Sequence, residues 1–548
     1  TKAEKVYEIM GNVAKNMEND RAKIIAAMIR DSGKTIVEAN SEVSEAIDFA
    51  RLYGLSALET IEDSQPSGVV VVASPWNFPY AIPAGGIIAA LVSGNTVIFK
   101  PAPEVVLVGW ELVNQLWKSG VPKQALHFVP TQDNEVGQKL ISHQDVDKVV
   151  LTGAHETAVK FKSWRPDLDL VAETSGKNSI VVTNSADIDL AVHDIVQSAF
   201  GHAGQKCSAA SLAIVEKEIY DNPLFFKQLV DATKSLTTGN PANLGNSVGP
   251  LINNPDKKLL RALTELDEGE EWLIKPEQLV GNNCWSPGIK INVQAGSWSH
   301  LTEWFGPVLA IMKASNLKEA IKWQNATEYG LTAGLHSLST KECDLWLKNV
   351  QAGNLYINRP ITGAIVNRQP FGGWKKSSFG STLKAGSSFY PNIFRKFKNA
   401  NDLEKLLIDL SELWVEKSKY IKTDDIESEH NYSILYPHEN VLIVIEQDLS
   451  SELTNFFESI KQIFRIKIDI VQFSELEDEE YLNIYSTLRW LSSKSIPNWI
   501  YKYNFSVDTN PIVQNAQREI FSWSKEQNVS ITNHRYGNTG FSPVSIFV

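Results

Sequence analysis

From about residue 2 to 58, apolar residues recur at helical spacing, with Ile24, Ile25, Met28 and Ile29 on one face and charges opposite. Val69, Val70, Val71 and Val72 then form a run typical of a buried strand, ended by the proline-containing stretch 74–79. A helix over 84–91, a turn at 93–95 and a strand over 96–99 follow. The alternation continues with a helix over 105–117, a strand over 126–129, a helix over 135–142 and a strand over 148–151. This pattern predicts βαβ units and a mostly parallel sheet. Ligands of such sheets bind beyond the carboxyl ends of the strands, where Asn77, Lys100 and Gly153 fall.

From Ser179 the alternation resumes, with strands over 209–215, 308–312 and 353–357, so two α/β units meet near Glu173-Thr174-Ser175-Gly176-Lys177. Composition shifts at about Asn399 toward Lys, Glu, Ser and Asn. Beyond it the pattern predicts strands over 441–445 and 465–471, a helix over 450–464, a helix over 517–527 and a strand over 529–531. A third, smaller α/β module is expected there. No repeat of 20–50 residues and no low-complexity tract is present.

Bulk properties narrow the classes. The 548 residues are 43% hydrophobic and 21% charged, ordinary values for a globular chain. The net charge of −12 is spread along the chain, which argues against nucleic acid as a partner because phosphate binding needs a basic face. Three distant cysteines make no disulfide framework and point to a reducing compartment, the cytoplasm. The stretch 69–99 carries no charge, yet its prolines, glycines and asparagines do not suit a spanning helix, so no membrane span is expected. The opening TKAEKVYEIMG lacks the pattern of a signal peptide.

Candidate chemistry centres on the small-residue-rich stretch 198–211, which holds Cys207. Gly201 and Gly204 permit a tight backbone approach, and Lys206 supplies positive charge that can lower a thiol pKa. A lone cysteine is more often a packed thiol, and Cys284 and Cys343 are read that way, as packing or surface thiols. Ser32-Gly33-Lys34-Thr35 has the tail of a phosphate-binding loop, but the leading glycine of that motif would fall on Met28, so a helix C-cap is expected. The ten histidines do not cluster with cysteine, and no metal is expected.

Seven segments give Cys207 its company: Ser74-Pro75-Trp76-Asn77-Phe78-Pro79, Phe99-Lys100-Pro101-Ala102, Leu151-Thr152-Gly153, Glu173-Thr174-Ser175-Gly176-Lys177-Asn178, Gly204-Gln205-Lys206-Cys207, Thr302-Glu303-Trp304-Phe305-Gly306-Pro307 and Pro370-Phe371-Gly372-Gly373-Trp374-Lys375. In this order and spacing, over about 1–395, the chain resembles the aldehyde dehydrogenase superfamily. The resemblance implies an α/β fold of two Rossmann-like domains with an appended C-terminal α/β module. It divides the chain into a coenzyme-binding domain (1–177), a catalytic domain (178–372), a return segment (373–400) and an accessory module (401–548). It also implies roles. Cys207 would attack an aldehyde carbon to give a thiohemiacetal, and then a thioester after hydride loss. The Asn77 amide and the Cys207 N–H would hold the oxyanion, and Glu173 would activate the hydrolytic water. For the cofactor, Lys100 would bind the adenosine ribose, Gly153 would lie at the pyrophosphate, and Glu303 would hold the nicotinamide ribose. Pro75, Trp76 and Phe305 would pack nearby. Pro103 and Ala154 depart from the family pattern, which leaves NADP as an alternative to NAD.

The stretch 358–373 resembles the aldehyde-anchor loop of L-glutamate γ-semialdehyde (Δ1-pyrroline-5-carboxylate) dehydrogenases. There the N–H groups of Gly363 and Ala364 and the Ser208 hydroxyl would grip the substrate carboxylate, an anion nest in physical terms. Lys206 could add charge, and Phe78 and Phe371 would flank the aliphatic chain. Segments 151–158 and 163–167 resemble the dehydrogenase half of bacterial bifunctional proline-utilisation enzymes. In those a flavin-dependent proline dehydrogenase domain precedes this region, so the chain is expected to be part of a longer protein, to lack an N-terminal portion of its coenzyme domain and to bind no FAD itself. The tail 531–538 resembles the C-terminal module of the longer members. Relatives imply a homo-oligomer. Two other functions compete: oxidation of another small acidic aldehyde such as succinate semialdehyde, and a non-catalytic scaffold with this fold.

Overall fold

The computed structural model of the chain describes residues 2–532 apart from 60–62, 280, 282, 381–382, 425 and 504. Residues 533–538 of the tail resemblance lie outside the described residues. The first helical region divides into Lys2–Asn19, Arg21–Ser32 and Ile36–Ser56. Gly33 caps the second helix at a φ of 67°, a conformation that glycine takes without a Cβ penalty. The sequence around Lys34 is thus a helix end.

One sheet has six strands in the order Leu126–Phe128, Thr96–Lys100, Val69–Ala73, Lys148–Thr152, Leu170–Glu173 and Ser378–Phe379. The first five are parallel and the last is antiparallel. Strand order reverses between Val69–Ala73 and Lys148–Thr152, the switch point at which such sheets open a ligand crevice. The valine run is buried on both faces. Val70 and Val72 pack toward the N-terminal helices, and Val71 and Ala73 toward Val149, Leu151 and Phe161. That two-sided burial is why the strand reads as a continuous apolar run.

The second sheet has ten strands, in the order Ile421–Lys422, Glu429–Pro437, Ser524–Thr532, Asn354–Ile357, Thr332–His336, Asn178–Val182, Ala210–Glu216, Val308–Ala314, Gly288–Ile291 and Glu271–Ile274. Its centre is parallel, from Ser524–Thr532 to Gly288–Ile291. A separate four-stranded parallel sheet comprises Lys467–Gln472, Asn440–Ile445, Thr487–Trp490 and Ser506–Asp508, with the helix Ser451–Phe464 packed beside it.

The expected helix over 517–527 is corrected. Only Ala516–Glu519 is α-helical, and Ser524–Thr532 is a strand. It pairs with Asn354–Ile357 on one edge and Glu429–Pro437 on the other. Ladder bonds on both edges override the helix propensity of its Lys, Glu and Gln residues. The strand expected from 465 begins at Lys467 because Arg465 caps the preceding helix at a φ of 56°. Residues after 400 therefore contribute strands to the sheet that carries the cysteine turn as well as to their own. Among the described residues no helix is long and apolar enough to cross a membrane.

Candidate active site

The helix Ile188–Phe200 leads the chain into the cysteine turn. Asp187 caps it by accepting the N–H bonds of Asp189 and Leu190, and Ala191, Ile195 and Ala199 bury its apolar face. The turn is tight at Gly204, whose φ is 69° and where an added Cβ would lie 2.3 Å from the Gly306 carbonyl oxygen. Gly204→Ala is expected to destabilise the protein by more than about 1 kcal/mol, seen as a lowered denaturation midpoint; an unchanged midpoint would contradict this packing. Cys207 then stands three residues ahead of the strand Ala210–Glu216. Asn178 Nδ2 donates to the carbonyl oxygens of Cys207 (2.7 Å) and Ala209 (3.1 Å), and Asn178 Oδ1 accepts the Thr332 N–H. The main chain at the sulfur is fixed by the strands beside it.

Asn77 and Glu173 converge on this turn from the six-stranded sheet. Asn77 Nδ2 donates to the Gln205 carbonyl oxygen at 3.0 Å, two residues ahead of the sulfur. Glu173 ends its strand, its carboxyl shares the cleft with the Cys207 thiol, and its Oε1 is buried without a hydrogen-bond partner among the described residues. Burial lifts Glu173 to about 7, opposed by the neighbouring Cys207 thiol and by Lys384. Burial also pushes the thiol well above its ordinary value, and the neighbouring Glu173 carboxylate adds to the shift. The expectation that Lys206 lowers the pKa of this thiol is corrected, since the thiol is raised and Lys206 is not among the causes. Its ammonium lies 2.7 Å from the Glu38 carboxylate and is committed to that ion pair.

Cys207, Glu173, Ser208, Phe78, Phe371, Gly363 and Ala364 all line one cleft of about 130 Å³. Glu45 lines it too, which its sequence context gave no means of finding. Burial, with Glu42 nearby, holds the Glu45 carboxyl up at about 8. The wall that carries Gly363 and Ala364 is braced from beyond residue 400. Gln369 Oε1 accepts the Ile365 N–H (3.0 Å), while its Nε2 donates to Glu429 (2.8 Å), Asn431 (2.7 Å) and Ser530 (3.0 Å). Arg359 pairs with Glu429 at 2.7 Å. Gln369 and Arg359 lie within the stretch 358–373 that resembles the anchor loop, but that resemblance gave them no bracing role, because Glu429, Asn431 and Ser530 lie 60 or more residues away in sequence.

On the crevice side, Glu303 Oε1 accepts the Gly176 N–H at 2.9 Å, and Phe305 meets Trp76 edge-on with centroids 5.7 Å apart. Pro75 joins Trp76 to Ser74, which lines the cleft. Lys100 Nζ donates to Asp133 at 2.9 Å. Gly153 follows the strand Lys148–Thr152 at the switch point, and Ala154 leads into the helix His155–Trp164, whose first N–H, that of His155, donates to Ser175 Oγ at 3.3 Å. Lys177, at the base of this wall, sits 3.4 Å from the centre of the Trp304 ring. Cys284 and Cys343 are buried, away from this cleft.

The profile of the aldehyde dehydrogenase family matches residues 1–393. The chain belongs to the aldehyde dehydrogenase family. Within it, the chain is 34% identical over 427 residues to a 1-pyrroline-5-carboxylate dehydrogenase of Bacillus cytotoxicus, covering 74% of this chain and 82% of that one. Among solved structures, proline utilization A (PutA) from Corynebacterium freiburgense superposes with a TM-score of 0.90 at 41% identity. That match covers 98% of this chain, residues beyond 400 included, and this chain spans 57% of the length of that protein. A 1-pyrroline-5-carboxylate dehydrogenase from Thermus with bound NAD superposes with a TM-score of 0.67 at 31% identity, over 72% of this chain and 81% of that one.

Proposed function

We propose that this aldehyde dehydrogenase oxidises L-glutamate γ-semialdehyde, the open form of Δ1-pyrroline-5-carboxylate, to L-glutamate with NAD. The observation that supports the reading is that Cys207, Glu173, Gly363 and Ala364 line one cleft. The relatives named 1-pyrroline-5-carboxylate dehydrogenase agree with it.

The steps follow from the groups present. Gly363 and Ala364 N–H and the Ser208 hydroxyl bind the substrate carboxylate, and Phe78 and Phe371 hold the carbon chain between them. Cys207 Sγ attacks the aldehyde carbon, and its proton passes to Glu173, the carboxylate that lines the same cleft. The Asn77 amide and the Cys207 N–H stabilise the oxyanion, donors of a kind worth about 10²–10³ in rate. When bound, NAD supplies the hydride acceptor that converts the thiohemiacetal to a thioester. After releasing the thiol proton to solvent, Glu173 takes a proton from water, which hydrolyses the thioester and frees the sulfur as the leaving group. Glu45, largely protonated at neutral pH, faces the bound substrate as a neutral donor.

The crevice suits a dinucleotide: the N-terminus of the helix behind Gly153 for the pyrophosphate, Lys100 for the adenosine ribose and Glu303 for the nicotinamide ribose. Asp133 beside Lys100 brings a carboxylate that would repel a 2′-phosphate, which favours NAD over NADP. We read 1–177 as the coenzyme-binding domain, 178–372 as the catalytic domain and 401–548 as a module that lends strands to the latter. The match to part of the length of PutA, a bifunctional protein by the name of another of its structures, supports a proline dehydrogenase domain elsewhere in a longer protein, and three free cysteines suit a reducing, cytoplasmic setting.

The substrate claim is tested by comparing kcat/KM for Δ1-pyrroline-5-carboxylate with that for a plain five-carbon aldehyde; equal values would remove it. A pH profile tests the base. Glu173 acts deprotonated and titrates at about 7, so kcat falls roughly tenfold per pH unit below that value and levels above it. A profile flat from pH 5 to 8 would contradict the assignment.

A further inference from the structure

The loop that carries Asn77 is held by a buried ion pair from outside the motifs. Lys34 and Glu42 are 0% and 1% exposed. Lys34 Nζ donates to Glu42 Oε2 at 2.5 Å and to the Asn77 carbonyl oxygen at 2.8 Å, and it lies 3.8 Å from the centre of the Phe78 ring. Glu42 Oε1 accepts the N–H groups of Tyr80 (2.7 Å) and Ala81 (3.0 Å). One ion pair thus grips the main chain of the Asn77 loop at both ends and touches the aromatic ring between. A helical turn earlier on Ile36–Ser56, Glu38 holds Lys206 beside the nucleophile. The same helix therefore gauges the separation of the oxyanion donor from the sulfur.

We propose that Lys34 and Glu42 are positioning residues that set the Asn77 amide for oxyanion binding, acting through the main chain of residues 77–81. This rests on the reading of Asn77 as an oxyanion donor. Burying two charges is costly, and an apolar pair of similar volume is often as stable, so stability alone gives little reason for an ion pair here. A cation that can reach a carbonyl and a carboxylate that can take two N–H groups at once fix geometry that apolar side chains cannot. Displacements of about 1 Å at a reacting centre can cost 10²-fold in rate.

The test is a double-mutant cycle on the full chain. Lys34→Met with Glu42→Gln removes both charges together and leaves an amide oxygen for the Tyr80 N–H; Glu42→Gln alone, isosteric, is the second variant should the pair fold poorly. The expected result is a kcat for Δ1-pyrroline-5-carboxylate lowered about 10- to 100-fold, with the KM for NAD and the denaturation midpoint little changed. In an Asn77→Ala background the same substitutions should cost less than about twofold, because the amide they position is gone. An equal loss in both backgrounds, or no loss in the presence of Asn77, overturns the proposal. An Asn77→Ala enzyme of full activity overturns the oxyanion reading itself, a separate result from either of those.

Discussion

Cys207→Ala is expected to abolish NADH formation from Δ1-pyrroline-5-carboxylate, by about 10⁴-fold or more, while the protein keeps its fold. The methyl group fits where the thiol was, and the cysteine turn is held by main-chain contacts that do not involve the sulfur: Asn178 to the Cys207 and Ala209 carbonyls, and Asn77 to the Gln205 carbonyl. Loss of activity would therefore report loss of the nucleophile. Cys284 and Cys343 give the control, because both are buried away from the cleft and neither can substitute. The check is a steady-state assay beside a melting curve. Retained activity, even at a hundredth of the parent value, would mean that the chemistry does not pass through this sulfur.

The second large effect belongs to Glu173→Gln. Removing the base from thioester hydrolysis lowers kcat by about 10²–10⁴. The two half-reactions should not suffer equally. The Glu173 carboxylate is one cause of the raised thiol pKa, after burial, so taking away its charge eases ionisation of Cys207 even as the proton acceptor is lost. Hydrolysis has no such compensation. The variant should form NADH once per active site and then stall, and the fall in kcat below pH 7 should disappear with the carboxyl group. Equal slowing of the first and later turnovers would place Glu173 in the first step alone.

Much of this was legible in the chain because buried parallel strands are written as apolar runs. Val69–Ala73, Thr96–Lys100 and Lys148–Thr152 fall within a residue or two of their expected limits, and the groups at their carboxyl ends follow. Glu173, Asn77 and Cys207 carried motifs because each sits where the backbone must also take a particular course. What stayed hidden depends on partners remote in sequence. Lys206 beside a thiol reads as an activator, yet its charge is spent on Glu38, 168 residues away. Lys34 reads as the residue after a helix cap, and only the fold brings the Asn77 carbonyl to it. The strand Ser524–Thr532 has helix-forming residues and becomes a strand because neighbours on two edges demand its N–H and C=O groups. The burial that sets Glu45 and Glu173 apart from solvated acids is likewise a property of the cleft.

The most direct measurement is the intact mass of Glu173→Gln mixed with NAD and Δ1-pyrroline-5-carboxylate and quenched after the first turnover. The mechanism predicts one NADH per active site and a chain heavier by one glutamyl group, with the added mass on the peptide that contains Cys207. NADH appearing with no adduct on that peptide, under conditions where the stalled enzyme persists, would contradict it.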